Sequence, residues 1–293
     1  MSAGRARLLA LTAALLFSTG GAGIKVEAFS ASQVSFVRSG IAALALLLWL
    51  RGRTTWSWAV LGTGVIYAAI LSLFVASTKL TTSANAIFLQ ATAPIYLLVL
   101  APWLLRERFR RRDGVFLVAL AAGMALCFAG RPETTATAPN PVAGNWLGAA
   151  SGLAWALTLV ALRYLARDEQ SGRATGSATV SAVVAGNAIA CAGALPSAWP
   201  LPSASPGEWA TLVYLGVFQI GLAYVALSAA VRQLPALETS LLLLLEPVLN
   251  PIWTWLIRGE HPGSWTIAGG AVIVSATAIK LVYDAREPFA GRS

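Results

Sequence analysis

Two formal charges fall inside apolar stretches of this chain, Glu246 at the centre of its stretch and Arg38 in the outer half of another. A charge held in hydrocarbon is costly unless it is paired or faces a wet cavity. Each is therefore a candidate for holding a charged ligand or carrying a proton. Neutral polar and aromatic side chains accompany them at helical spacing. Glu246, Asn250 and Trp253 share one face at i, i+4 and i+7. Asn85, Thr92 and Tyr96 share another, on a stretch that also carries Gln90, and Ser151, Trp155 and Thr158 a third. Thr63, Tyr67 and Phe74 form a fourth stripe, and Asn187 and Gln219 mark the middles of two more stretches. Amides, hydroxyls and rings converging in this way suit a small polar molecule with an apolar part.

Each of these has a plainer reading. Glu246 can be a structural acid beside a kink at Pro247, and Arg38 a fixed partner for an acid or for helix C-terminal carbonyls. The aromatic stripes can be ordinary helix packing. Enzyme chemistry finds little support: no catalytic triad or paired carboxylates can be defended, and His261 has no second ligand at metal-binding spacing. Gly20-Gly21-Ala22-Gly23 belongs to an apolar helix, where small residues permit close packing, rather than to a phosphate loop. Cys127 and Cys191 lie in apolar stretches and form no redox or metal motif. The expectation is a protein that is not an enzyme, with no cofactor and no metal.

The elements that position these residues follow from composition. Hydrophobic residues make up 57% of the 293 and charged residues 11%, against about 25% charged in a soluble domain. A bilayer is the implied solvent, and the net charge of +9 sits in short connecting loops, which argues against nucleic acid as a partner. Arg5 and Arg7 before an apolar run imitate a signal peptide, but the run reads as a retained first helix. Ten stretches approach the ~20 residues that cross a hydrocarbon core. They lie at roughly 7–26, 31–50, 57–79, 83–105, 114–130, 143–165, 177–198, 208–231, 236–257 and 264–283. The expected fold is all-α and integral to the membrane.

Basic residues orient it. With the N-terminus cytoplasmic, sixteen Lys and Arg fall on the inner side and four, Lys25, Lys79, Arg131 and Arg258, on the outer. That count places both termini in the cytoplasm. The run from Arg106 to Arg112 reads as a topology anchor near anionic headgroups.

The chain also repeats itself. Ala93-Pro94-Ile95-Tyr96 leads to Glu107, and Glu246-Pro247-Val248-Leu249 leads to Glu260. Lys25 has an echo in Arg163, Phe17 in Trp155, and Trp58-Ala59-Val60-Leu61 in Trp209-Ala210-Thr211-Leu212. Halves of five spans must insert in opposite directions, so the repeats, over 5–130 and 143–283, are inverted. Glu107 and Glu260 then read as anchors at helix starts on opposite faces, and Pro94 and Pro247 as hinges.

Ten helices in two inverted repeats, each with Pro–x12–Glu between its fourth and fifth helices, resemble the drug/metabolite transporter superfamily. The string Leu245-Glu246-Pro247-Val248 is similar to the second repeat of EamA-type members. Within the superfamily the chain looks closest to YddG-like amino-acid exporters, first recognised for aromatic substrates. The resemblance implies export of small metabolites, commonly amino acids, through a central cavity lined by both halves. Candidate substrate contacts on this reading are Arg38, Tyr67, Asn85, Gln90, Tyr96, Trp155, Asn187, Gln219, Glu246, Asn250 and Trp253.

The single deep arginine argues against a polyanionic cargo. The first helix offers Phe17, Ser18 and Thr19 in place of an acid, which argues against a hydrophobic cation. A near-neutral cavity, should Arg38 and Glu246 balance, suits a zwitterion. The expected partners are a small-molecule substrate and membrane lipids, with the protein a monomer or weak dimer in an inner membrane. Facilitated efflux and proton antiport both stay open, with Glu246 the carrier in the second. So do a different cargo and a non-transporting scaffold.

Overall fold

The computed structural model describes residues 1–97, 100, 111–129, 134–171 and 177–286. Glu107 and its flanking Arg106, Arg108 and Arg110, together with Arg131, Arg173 and Arg292, lie outside the described residues. Among the described residues, seven helices are long and apolar enough to cross a membrane. They are Ala3–Ile24, Ala31–Trp49, Trp58–Leu80, Pro141–Gln170, Ala178–Ala198, Pro206–Val231 and Glu238–Arg258. In chain order these are the first, second, third, sixth, seventh, eighth and ninth spans. The fourth begins at Ser83–Gln90. The fifth and tenth are Arg111–Ala129 and Ser264–Arg286.

Helix starts are written in the sequence. Ser30 and Ser205 each close a capping box, with Gln33 and Glu208 respectively. Asn140 caps the sixth span immediately before Pro141, a residue whose missing N–H costs nothing at a first turn. The sixth span runs to Gln170, five residues beyond its expected end at 165. The ninth ends at Gly259, whose φ of 64° is the left-handed turn that glycine adopts freely.

Several spans expected to be continuous are broken. The first is interrupted at Thr19, between Ala3–Ser18 and Gly20–Ile24. The fourth breaks at Ala91–Thr92, and the ninth at Leu243–Leu244 between Ala236–Leu242 and Leu245–Arg258. Pro94 and Pro247 stand just beyond the last two breaks. A proline ring clashes with the carbonyl four residues earlier, here Gln90 and Leu243, and offers it no N–H. At the ninth-span break a tighter bond answers this, Glu246 N–H donating to Leu243 C=O at 3.0 Å, while at the fourth-span break Thr92 Oγ1 donates to the neighbouring Leu89 C=O at 2.6 Å. The eighth span widens into a π-helical segment over Leu215–Leu222, with Gln219 inside it.

Packing follows the repeat. The third span lies against the sixth as the eighth lies against the first, and the fourth against the sixth as the ninth against the first. The second pairs with the seventh, the fourth with the ninth and the fifth with the tenth, each a pairing of equivalents. This exchange of partners is the signature of two five-helix repeats around a two-fold axis in the membrane plane. Gly123 and Gly269 bring the fifth and tenth spans so close that a Cβ built on Gly269 would sit 2.5 Å from the Gly123 carbonyl oxygen.

Candidate functional site

The two breaks meet at the centre of the molecule. Gln90 ends the helix before the fourth-span break and Glu246 lies just after the ninth-span break. Both line one small cavity. The first half contributes Phe17, Ile70, Phe74 and Gln90, and the second Trp155, Gln219, Ile220, Tyr224 and Glu246. A side lobe reaches Ala93, Ser240 and Pro247. The cavity volume is about 40 Å³, room for only a few waters. A metabolite therefore needs it to widen.

Its walls combine rings with unused polar groups. Phe17 meets Tyr224 at 4.9 Å and Trp155 at 6.3 Å, and Trp155 meets Tyr224 at 6.3 Å, all edge to face. The Glu246 carboxyl makes no hydrogen bond or ion pair with a described residue, and Gln219 Oε1 is buried without a donor. Gln219 is turned inward by the π segment, and Gly20 leaves it space: a Cβ there would lie 2.9 Å from Gln219 Nε2. Such a surface can accept hydrogen bonds from a cationic or amide group while rings hold an apolar one.

Arg38, Tyr67 and Asn187 form a second layer. Tyr67 packs edge to face on Tyr224 at 4.7 Å and sits 3.5 Å from Asn187 Nδ2. Arg38 lies within electrostatic reach of both phenols. No ion pair joins it to Glu246 among the described residues, so the two do not neutralise each other by contact. Tyr96 is half-buried and packs on the main apolar core.

Asn85, Asn250 and Trp253 stand elsewhere, in a polar plug at the face opposite the N-terminus, the far face. Lys25 Nζ lies 2.6 Å from Glu260 Oε2, with side chains 4% and 5% exposed. Glu260 Oε1 accepts the Ser83 N–H at 2.6 Å. Ser83 Oγ donates to Asn250 Oδ1 at 2.8 Å, and Thr266 Oγ1 to Asn85 Oδ1 at 2.6 Å. Asn85 Nδ2 in turn donates to Asn145 Oδ1 at 3.1 Å, and Trp253 Nε1 to Ser18 Oγ at 3.1 Å. Glu260 does occupy a helix start, but that of the fourth span, in the other half, rather than of the span that follows it. A Cβ on Gly21 would fall 2.0 Å from Ser83 Oγ and 2.2 Å from Asn250 Oδ1, so only glycine leaves room for this contact.

The near face is joined differently. Arg7 Nε meets Glu238 at 2.9 Å, but with side chains 46% and 24% exposed, and pairs this wet contribute little. The Lys25 echo is preserved in function: Lys25 donates to the Thr81 carbonyl just past the third span, and Arg163 to the Val231 carbonyl ending the eighth. Phe17 and Tyr224, which complete the ring cluster, and Lys25 and Ser83, which build the plug, were not among the candidate contacts. Phe17 was visible as an echo of Trp155 and as part of an acid-free first helix, and Lys25 as an echo of Arg163 and one of the outer basic residues.

Comparison with known proteins agrees with this architecture. The model of the EamA-like transporter family matches residues 4–129 and again 142–282. A solved structure described only as the crystal structure of a protein superimposes with a TM-score of 0.70 at 22% identity, covering 98% of this chain and 100% of its own. No curated protein sequence matches. The chain belongs to the EamA-like transporter family, and is a multi-pass membrane protein.

Proposed function

We propose that this EamA-like transporter exports amino acids and related small metabolites by alternating access, from an inner membrane with both termini cytoplasmic. The observation that carries the reading is the central cavity, lined from both halves at the meeting of two broken helices. Discontinuous helices put free backbone groups and half-helix ends beside a cargo at the midplane. Gln90, Gln219 and Glu246 supply hydrogen-bonding groups, and Phe17, Trp155 and Tyr224 an apolar wall. Asn85, Asn250 and Trp253 would serve the cycle as part of the far-face plug, and Pro94 and Pro247 as the hinges of the two breaks.

A competition panel in proteoliposomes tests the cargo. Amino acids are expected to displace one another, and an organic cation is expected to leave exchange unchanged. Displacement by the cation and by no amino acid refutes the reading, and favours a carrier of the same family with another cargo. Exchange that is indifferent to a collapsed pH gradient excludes Glu246 as a proton carrier.

A further inference from the structure

Other cations at least partly buried among the described residues have partners, Arg163 on the Val231 carbonyl being one. Lys25 takes the Thr81 carbonyl and Glu260, Lys79 the carbonyls of Val26 and Phe29, and Arg258 the carbonyl of Ala22. Arg38 differs. It is 1% exposed, and neither Nε nor Nη2 has an acceptor among the described residues. A buried cation without a partner is strongly destabilising, so its presence calls for a counter-charge that the described residues do not supply.

The arrangement around Arg38 indicates where that counter-charge arrives. Its guanidinium is in electrostatic reach of the Tyr67 and Tyr224 phenols. Tyr224 is also a wall of the cavity and in reach of Glu246. Tyr224 thus belongs both to the cavity wall and to the group of residues around Arg38. The Tyr67–Tyr224 ring pair links Arg38 to a cavity that must widen to be filled. Tyr67 is held there by its ring contact with Tyr224 and a long 3.5 Å contact from Asn187 Nδ2.

We propose that Arg38 is the carboxylate anchor of the transport cavity, exposed as Tyr224 yields to an entering substrate. The planar guanidinium offers two parallel N–H groups, which match one carboxylate. A single cation selects a monoanionic group and gives no purchase to a polyphosphate. Glu246, which lines the same cavity, then faces the ammonium of the same molecule. That second assignment rests on the amino-acid reading above, whereas the carboxylate anchor does not.

The test uses full-length protein in proteoliposomes and four labelled probes: phenylalanine, phenylalanine amide, 3-phenylpropionate and phenethylamine. Wild-type protein is expected to exchange phenylalanine at least about thirtyfold faster than its amide. Arg38→Gln brings that ratio near one, and Arg38→Lys, which keeps the charge but not the fork, falls between. Melting of Arg38→Met in detergent is expected at or above the wild-type temperature, because an unpaired buried charge has been removed. A structural arginine gives the opposite result.

The anchor is refuted if Arg38→Gln keeps the wild-type ratio, or if Arg38→Met melts well below wild type and moves no probe. Wild-type exchange of 3-phenylpropionate that depends on Arg38, without exchange of phenylalanine, keeps the anchor and overturns the amino-acid reading. Equal wild-type exchange of phenylalanine and its amide does the reverse. If the wild-type protein moves none of the four, both fall.

Discussion

Replacing Lys25 with Met isolates the far-face plug. The substitution removes the ammonium that lies 2.6 Å from Glu260 and leaves the carboxylate buried, with the Ser83 N–H as its remaining donor. Stripping one partner from a buried ion pair costs about 3–5 kcal/mol in the state that contains the pair. The cost vanishes in a state where the far face has opened and both groups are wet. Even about 3 kcal/mol of difference moves a two-state equilibrium roughly 10²-fold toward the open form. Phe74 lines the cavity on the far half of the third span, so a cysteine there reports the opening. With Cys127 and Cys191 replaced by Ala, Phe74→Cys is labelled with a membrane-impermeant maleimide applied at the far face. Labelling is expected to accelerate on the order of 10²-fold in Lys25→Met. The double variant Lys25→Met with Glu260→Gln, which removes the stranded charge and keeps an oxygen for the Ser83 N–H, is expected to return it toward the parent rate. Folded Lys25→Met protein that labels at the parent rate refutes the claim that this pair holds the far face shut.

Two further outcomes follow from the same geometry. Gly21→Ala places a methyl group 2.0 Å from Ser83 Oγ and 2.2 Å from Asn250 Oδ1. It is expected to melt earlier and to speed far-face labelling, and unchanged values of both would contradict the plug. Pro247→Ala removes the ring clash with Leu243 C=O and supplies an N–H to it. Slower exchange is expected, at equal or higher melting temperature, with greater amide protection near Leu243. Exchange at the wild-type rate would remove Pro247 from the cycle.

The membrane fold was legible because it rests on length and hydropathy, which local sequence carries in full. The repeat was legible for the same reason, since Pro94 and Pro247 recur with their apolar surroundings. The helix breaks were half legible: each proline announced a disturbance, but the kink had to be resolved into a turn three residues upstream. The π segment around Gln219 left no local mark, because it is set by how the eighth span seats against the first and second. The candidate site divided along a similar line. Helical periodicity gives the face of a residue but not its depth or its neighbour. Gln90, Trp155, Gln219 and Glu246 reach the cavity, while Asn85, on the same stretch as Gln90, and Asn250, on the same face as Glu246, turn amide groups to Thr266, Asn145 and Ser83. Glu260 read as an anchor at a helix start, and its ion pair was not legible because its partner, Lys25, is 235 positions away in the chain.

The central claim, a transport site at the junction of the two broken helices, is tested most directly by efflux. Vesicles containing wild-type protein, or Gln219→Ala, are loaded with an amino-acid mixture, and release is followed with and without a proton gradient. Gln219 is a cavity residue whose Oε1 has no partner among the described residues, so its loss is expected to leave folding intact and to cut release severely. Release no faster than from empty liposomes, or release by Gln219→Ala equal to wild type, would contradict the account.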